Sequence, residues 1–533
     1  MKKVLVADEI SELGLNILSD GLEVTYRPDI SQSDMLAIIE NYHGLLVRSR
    51  ASVDEKIISN ARSLEVIGRA GVGVDNIDVN AATKSGVLVL NSPEGNTASA
   101  SEHTMALMFA LARKIAQADK SVKEGHWKRS QFLGSELFNK TLGIIGFGKI
   151  GRRVANMALA IGMKVIIFDP LIDKDSIKHL NVELVELEKI YQMSDFITIH
   201  TPKTKQTTNL INHTVLNRMK DGVFIINTSR GGIIDERALA LALLSGKVAG
   251  CGLDVFEHEP LASDSPLREF SDKIILTPHL GASTYEAQLN VALDLANQIK
   301  TYLLTGISSA AVNLPNLKPE ELKFLSPYIK LTQNMATIAS NWLDNDIREI
   351  EISVSGNLAN YNTQSLTSAA IIGALNNSVE GLNFINASYV ANDHGINIRH
   401  SKFSSYDISL SELNLVVNNN NKDGLISLSG MVLNDDKAVI TKINEFNVNL
   451  SPSKYMLFTV HQDQPGMVAK VALILGQNNI NISSMAVSRK SIGAQAMMVI
   501  ELDENLNGNI LEQLNDIDGI LKVGFVNLYD NSL

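Results

Sequence analysis

The chain has 533 residues, 45% hydrophobic and 20% charged, a globular composition with material for roughly three or four separate cores. A formal net charge of −11 argues against general binding to nucleic acid or to anionic membranes, although a local basic pocket is compatible with it. Its single cysteine, Cys251, excludes an internal disulfide framework and fits a reducing compartment.

The opening run Met1-Lys2-Lys3-Val4-Leu5-Val6-Ala7-Asp8 has too short an apolar part for a signal peptide and reads as a first strand. No stretch approaches the length that spans a bilayer, so a cytoplasmic protein without a membrane partner is expected. Apolar runs predict buried parallel strands at 4–7, 45–47, 66–68 and 87–90, with helices at 36–41 and 54–60. Residues 96–116, rich in Ala, Met and Leu, read as one long helix. Strand-like runs resume at 164–168, 196–200, 223–227, 248–253 and 274–277, and 283–304 is an apolar-periodic helix.

If that helix returns to the first sheet, the first domain is discontinuous, 1–97 with 281–307, and a second α/β domain, 98–280, is inserted into it. Residues 306–319 carry Asn, Pro and Ser and read as a linker. An Asn-rich α+β segment, 308–452, follows; it includes Asn418-Asn419-Asn420-Asn421 and shows no cluster suited to catalysis. From 453 to 533 the order is β-α-β-β-α-β, a ferredoxin-like module. The expected fold class is α/β: two Rossmann-like doubly wound domains, an intervening α+β domain and the small C-terminal module.

The most specific local signal is Leu142-Gly143-Ile144-Ile145-Gly146-Phe147-Gly148-Lys149-Ile150-Gly151, a strand turning through G-x-G-x-x-G into a helix. Gly146 allows the tight turn, Gly148 the approach of a pyrophosphate, and Gly151 the close packing of helix on strand. Lys149 and Ile150 begin the helix whose free N–H groups and positive dipole end face the phosphates. Asp169 ends the next strand, about twenty residues on, where a carboxylate accepts both ribose hydroxyls and repels a 2′-phosphate. The cofactor expected is therefore NAD; no metal site is read.

Three polar residues stand beyond strands of this second sheet: Arg230, Glu259 and His279. Oxidation of an alcohol by NAD needs a base, a partner for the base and a cation that orients a carboxylate. His279 titrates near neutrality and suits the first role. Glu259 would fix its tautomer and raise its pKa, and Arg230 offers a bidentate fork. Each has a bland alternative taken alone, as a helix tie, a turn cap or a satisfied histidine; their shared placement is what favours catalysis.

With these residues in place, the chain resembles the D-isomer-specific 2-hydroxyacid dehydrogenases, and within them the long, four-domain branch that oxidises D-3-phosphoglycerate. The strings carrying the resemblance include Gly68-Arg69-Ala70-Gly71-Val72-Gly73-Val74-Asp75-Asn76 and Asn91-Ser92-Pro93-Glu94-Gly95-Asn96-Thr97. Asn227-Thr228-Ser229-Arg230-Gly231-Gly232, Gly252-Leu253-Asp254-Val255-Phe256 and Pro278-His279-Leu280-Gly281-Ala282-Ser283-Thr284 complete it. The resemblance implies that Arg230, Glu259 and His279 are catalytic, that Thr201, Thr228 and Asp254 line the cofactor, and that Asn96 and Thr97 touch substrate. Arg48 and Arg69 match cations that meet the substrate phosphate. Arg129 matches a residue that reaches a neighbouring subunit's site, which implies a homodimer or homotetramer. Thr228 stands where Cys or Ala is more usual.

Residues 455–533 resemble an ACT domain, a module that binds small amino acids at domain interfaces. Val460-His461-Gln462-Asp463-Gln464-Pro465-Gly466-Met467 and Asn479-Ile480-Asn481-Ile482 carry this match, with His461, Asp463 and Asn481 as effector residues and L-serine as the implied effector. The alternative is a module that only dimerises. The intervening segment departs from its relatives at Asn386-Ala387-Ser388 and Asn392-Asp393-His394, so its expected role is geometric. Two rival functions stay open at this point: a sister dehydrogenase acting on hydroxypyruvate, glyoxylate or 2-oxoglutarate, and a catalytically silent NAD sensor.

Overall fold

The computed structural model describes residues 1–533 except 309, 316, 377, 404–410, 420–423, 434–435 and 529–533. Asn420 and Asn421 of the asparagine run, and the last five residues of the chain, lie outside the described residues.

The first sheet contains β1 (Lys3–Val6), β2 (Glu23–Tyr26), β3 (Gly44–Val47), β4 (Val66–Arg69) and β5 (Leu88–Asn91), in the order β2-β1-β3-β4-β5. All four pairings are parallel. The central strands are apolar because both faces are covered. β2, Glu-Val-Thr-Tyr, lies at the edge and is half exposed, which is why apolar periodicity missed it. The helix Tyr285–Thr305 does return to this sheet: Leu295, Ala296 and Ile299 are buried against Val4, Leu46 and Val66. Small residues allow the approach, since a side chain at Gly14 would stand 3.2 Å from Ala292.

The second sheet runs β12-β11-β10-β9-β6-β7-β8, again parallel. Its strands are β6 (Thr141–Ile145), β7 (Lys164–Phe168), β8 (Glu183–Leu184), β9 (Phe196–Ile199), β10 (Val223–Asn227), β11 (Val248–Leu253) and β12 (Ile274–Leu276). The chain winds outward from β6 to β8, then crosses to β9 on the other side. That reversal opens a crevice at the carboxyl ends of β6 and β9. The single helix expected over 96–116 is two: Thr97–Ala112 stops before Lys114, whose φ of 52° is left-handed, and Ile115–Lys123 starts afresh. Alanine-rich periodicity carried no sign of that break.

The third sheet is mixed, in the order β14-β13-β15-β16-β17-β18. It comprises β13 (Glu349–Ser355), β14 (Asn397–Phe403), β15 (Glu412–Asn418), β16 (Leu425–Val432), β17 (Ala438–Ile443) and β18 (Phe446–Leu450). The fourth is antiparallel, β20-β21-β19-β22, from β19 (Tyr455–Gln462), β20 (Ile482–Arg489), β21 (Gln495–Leu502) and β22 (Ile520–Asn527). With helices Met467–Gln477 and Gly508–Asn515 this is the ferredoxin-like ACT arrangement.

A 24-residue helix, Pro319–Trp342, lies between these last two sheets; Pro327 inside it hid it from a helix reading. Leu331 and Met335 pack over Gly430 of the third sheet, and Trp342 lies 3.1 Å from the space above Gly524 in the fourth. One core therefore holds Leu331, Ile352 and Leu428 together with Met456, Phe458 and Val499. The segment read as a linker is tethered to β5. Val312 N–H donates to Val89 O at 2.8 Å, Val89 N–H donates to Asn313 Oδ1 at 2.9 Å, and Asn313 Nδ2 donates to Val87 O at 2.9 Å. No helix among the described residues is long and apolar enough to cross a membrane.

Candidate active site

A cleft of about 1180 Å³ opens between the carboxyl ends of the first two sheets. On the second-sheet side lies the glycine turn. Gly146 has φ 93°, and a side chain there would meet His200 O at 2.5 Å; one at Gly151 would meet Gly146 O at 2.3 Å. At Gly148 an added carbon meets nothing within 4 Å, so the backbone is bare toward the cleft. Asp169 is drawn to this turn, accepting Phe147 N–H at 2.8 Å and Leu171 N–H at 2.9 Å, and each of its oxygens keeps a lone pair. Thr201 Oγ1 and Asn96 Oδ1 are buried on the cleft walls with no protein partner among the described residues. Ile150 and Thr228 line the same cleft, and Thr228 Oγ1 shares a 2.7 Å hydrogen bond with Thr104. A bare glycine, a helix start and orphaned acceptors and donors along one wall fit NAD. Lys149 at the helix start forms an ion pair with Glu94. His200, buried beneath the turn, has its pKa pushed down to about 4 and stays uncharged.

His279 sits in a left-handed turn, φ 55°, its N–H bonded at 3.0 Å to Asp254 O and Thr277 O. Its Nδ1 lies 2.6 Å from Glu259 Oε2, and Glu259 Oε1 accepts Phe256 N–H at 3.1 Å. The hydrogen bond to Glu259 raises the His279 pKa against the opposing effect of burial. Burial works against ionisation of Glu259 too, but His279 and the Phe256 N–H hold its carboxyl below the ordinary range. The geometry is that of an imidazole base with a fixed tautomer.

Asp254 is wholly buried beneath this turn rather than on the cleft wall. Its carboxylate accepts Thr277 Oγ1–H at 2.6 Å, Leu280 N–H at 2.7 Å and Gly281 N–H at 2.8 Å, with His103 Nε2 at 3.2 Å. It is therefore the anchor of the strained turn that presents His279.

Arg230 follows β10. Its Nε pairs with Asp75 at 3.1 Å, and Nη1 donates to Ser229 O at 2.7 Å. The guanidinium lies across Gly73, where a side chain would come within 1.8 Å of Nη2, and Arg69 lies across Gly71 in the same manner at 1.9 Å. The two glycines thus give both cations their seat. Arg69 Nε donates to Arg48 O at 3.1 Å, and Arg48 N–H donates to Asp8 at 2.6 Å. Burial, then the nearby charges of Arg230 and Arg48, lower the Arg69 pKa. Three guanidinium groups so close together call for an anionic ligand.

Arg48, Arg69, Asn96, Arg230, Glu259 and His279 all line the one cleft; Thr97 begins the adjoining helix behind it, and Arg129, exposed on the turn Arg129–Phe132, does not reach it. Sequence reasoning missed Asp8, Asp75, His103 and Asn76, whose Nδ2 donates to Arg48 O at 3.0 Å and to Ala51 O at 2.6 Å. Asp75 and Asn76 lie inside a quoted string, and Asp8 ends a strand, so a signal existed for those three; His103 had none.

In the ACT domain His461 is buried, 3% exposed, with Nδ1 3.4 Å from Thr459 Oγ1, and burial lowers its pKa. Asp463 is near it, bonded to Gly493 N–H at 3.0 Å. Asn481 is not: it precedes Ile482, which pairs with Leu502 at the far end of β21, and its Nδ2 donates to Asp503 at 2.6 Å. The eight residues of β21 separate it from His461 by roughly 25 Å within one chain.

Two doubly wound parallel sheets, a dinucleotide turn and a cleft bearing histidine, glutamate and arginine define a D-isomer specific 2-hydroxyacid dehydrogenase. Residues 105–281 match the NAD binding domain of that class, 324–444 the D-3-phosphoglycerate dehydrogenase intervening domain, and 455–519 the ACT domain. The chain belongs to the D-3-phosphoglycerate dehydrogenase family: it is 44% identical to that of Synechocystis sp. over 98% of this chain and 94% of the relative. It is 41% identical to that of Archaeoglobus fulgidus over 99% and 100%. Among solved structures, D-lactate dehydrogenase from Aquifex aeolicus complexed with NAD and lactic acid is 30% identical, with TM-score 0.53, over 59% of this chain and all of that one. A glyoxylate reductase from Paecilomyes thermophila is 29% identical, with TM-score 0.55, over 58% and 98%. The chain is an NAD-dependent dehydrogenase, and the silent-sensor reading falls away.

Proposed function

We propose that the substrate is D-3-phosphoglycerate, oxidised at its hydroxyl to 3-phosphohydroxypyruvate as the first step of L-serine biosynthesis. The observation that carries this reading is the convergence of Arg48, Arg69 and Arg230 on one end of the cleft. A monoanionic 2-hydroxy acid needs one guanidinium; a substrate with a phosphate as well needs more. In this reading Arg230 forks the carboxylate beside the reacting carbon, while Arg48 and Arg69 hold the phosphate. His279, neutral above its raised pKa, takes the hydroxyl proton, and Glu259 stabilises the imidazolium that results. NAD, when bound, accepts the hydride. Asn96 Oδ1 and Thr201 Oγ1 gain partners when substrate and cofactor fill the cleft.

The same reading makes the active protein a homodimer or homotetramer in the cytoplasm. Trp127 and Leu133, on either side of Arg129 in the chain, are 79% and 83% exposed, apolar groups that a second copy would cover while delivering Arg129 to its partner's cleft. L-serine is the effector in this reading, and Asn481 joins His461 and Asp463 only across two copies. The test is NADH oxidation with 3-phosphohydroxypyruvate beside hydroxypyruvate, each with and without L-serine. A preference for the phosphorylated acid, suppressed by serine, is expected. Equal turnover of both acids would instead support a sister dehydrogenase.

A further inference from the structure

The helix Thr97–Ala112 lays one face on the second sheet, with Ala100, His103, Thr104, Leu107 and Leu111 at the spacing of a single helix face. Its apolar members are buried, and a side chain at Gly252 of β11 would stand 3.2 Å from both Leu107 and Leu111. Two neighbours near the head of this stripe are polar, and their partners lie in the two turns that carry the catalytic groups. His103 Nε2 is 3.2 Å from Asp254 Oδ1 and 3.1 Å from Thr277 Oγ1. Thr277 donates its hydroxyl hydrogen to Asp254 Oδ1 at 2.6 Å, so its oxygen is left to accept. Burial opposes the charge on Asp254, but His103, Thr277 and Leu280 hold its carboxyl below the ordinary range, so it too only accepts. His103 Nε2 therefore carries a hydrogen and donates to both. The other donors to this carboxylate, Thr277, Leu280 and Gly281, belong to the His279 turn itself. Among the described residues, His103 is the one donor to it from elsewhere in the fold. Thr104 meets the other turn. Its hydroxyl donates to Ala100 O at 2.8 Å, and its oxygen accepts the hydroxyl of Thr228 at 2.7 Å, two residues before Arg230.

We propose that His103 and Thr104 are positioning residues, which register the loop carrying Asn96 to the His279 turn on one side and the Arg230 turn on the other. This rests on the reading of His279 as the base and Arg230 as the carboxylate clamp. The helix that bears the pair starts at Thr97, directly after Asn96, and Asn96, Arg230 and His279 all line the cleft. These three groups come from separate stretches of chain, so a substrate held beside Asn96 meets the imidazole at a distance that the two contacts set. Stability does not account for His103. Without it Asp254 still accepts from Thr277, Leu280 and Gly281, and a leucine would continue the apolar stripe at little net cost. The imidazole earns no place in the core by packing; what it adds is a donor reaching from the substrate helix to the catalytic turn.

The test is stopped-flow, single-turnover oxidation of NADH by saturating 3-phosphohydroxypyruvate in the full-length protein, with NADH affinity followed by fluorescence and folding by thermal melt. His103→Leu is expected to slow hydride transfer about ten-fold or more while NADH affinity stays within about two-fold of wild type. His103→Gln, which places an N–H where Nε2 stood, should recover most of the loss. Thr104→Val, which keeps the shape and removes the acceptor for Thr228, should slow the same step by about three-fold or more. Should His103→Leu melt far below wild type, His103→Asn carries the same comparison with His103→Gln, because its amide reaches only the Nδ1 position. A His103→Leu rate within about two-fold of wild type overturns the proposal, as does a glutamine variant no faster than the leucine one, or a loss seen only as weaker NADH binding. His279→Gln, run alongside, separates the two levels. If it is slow while His103→Leu is fast, the positioning inference falls alone; if it keeps the wild-type rate, the reading of His279 as the base falls and the proposal with it.

Discussion

Gly231→Ala probes how Arg230 is set against Glu259. The added carbon would stand 1.6 Å from Phe256 O and 2.1 Å from its carbonyl carbon. A carbon–oxygen contact relaxes at about 3.3 Å, so the end of β10 and the 256–259 loop must separate by about 1.7 Å. Both sides are backbone, and no rotamer change relieves the clash. The loop carries the shift to the chemistry, because Phe256 N–H holds Glu259 and Glu259 holds His279. Misplacement on the order of 1 Å at a catalytic centre costs about 10²-fold, so kcat should fall by about 100-fold, or ~2.7 kcal/mol. The assay is initial-rate NADH formation from D-3-phosphoglycerate at saturating NAD, with NADH affinity followed by fluorescence and folding by thermal melt. Gly148→Ala is the contrast. Its added carbon meets no protein atom within 4 Å, so the fold should be intact and the KM for NAD should rise. A Gly231→Ala enzyme with kcat within three-fold of wild type and an unchanged melt would refute the claim that this contact positions the pair.

Three further outcomes are expected. Glu259→Gln removes the anion that raises the His279 pKa, so the acid limb of kcat/KM for oxidation, which needs neutral imidazole, should move to lower pH while the maximal rate falls; a limb that stays in place would exclude His279 as the titrating base. Glu236 Oε1 accepts Glu257 N–H at 2.6 Å and ties the same loop to the helix Glu236–Ser245, so Glu236→Ala should reduce kcat about ten-fold with Glu236→Gln restoring most of it; equal losses in both would point to charge rather than positioning. His200 is neutral in both states above its ordinary pKa of 6.5, but below that the unfolded chain binds a proton that the folded chain refuses until about pH 4. Stability should therefore fall with pH across that window by up to about 3 kcal/mol on this account. Urea titrations of His200→Gln should show a shallower fall, and identical slopes would place the acid sensitivity elsewhere.

What was legible in the sequence follows from where a backbone demand coincides with a residue type. Gly146 and Gly151 sit where any side chain would strike a carbonyl, so the turn announces itself in glycine. The same holds for Gly71 and Gly73, which seat Arg69 and Arg230. Strands buried on both faces, such as Val223–Asn227 and Val248–Leu253, were read to the residue because their runs are almost wholly apolar. The edge strand Glu23–Tyr26 and the Pro327-bearing helix Pro319–Trp342 were not, since each violates the local rule for its class and is held by tertiary packing.

Long-range polar tethers were illegible for a different reason. Asn313 on Val87 and Val89, Asn383 Nδ2 on Gly86 O and Glu236 on Glu257 are ordinary surface-type residues whose partners lie far away in sequence or across a turn. Two of these tethers converge on β5 and the turn leading into it, and the end of β5 runs directly into Asn91–Thr97, the loop that supplies Asn96 to the cleft and Glu94 to the ion pair with Lys149. Because the third and fourth domains share one core, a force applied to the ACT domain acts on both together. It therefore reaches the first domain at this edge, next to the loop that brings Asn96 to the cleft. Identifying the family names the chemistry of the cleft; the placement of these asparagines shows where the C-terminal half is fastened to the domain that bears it.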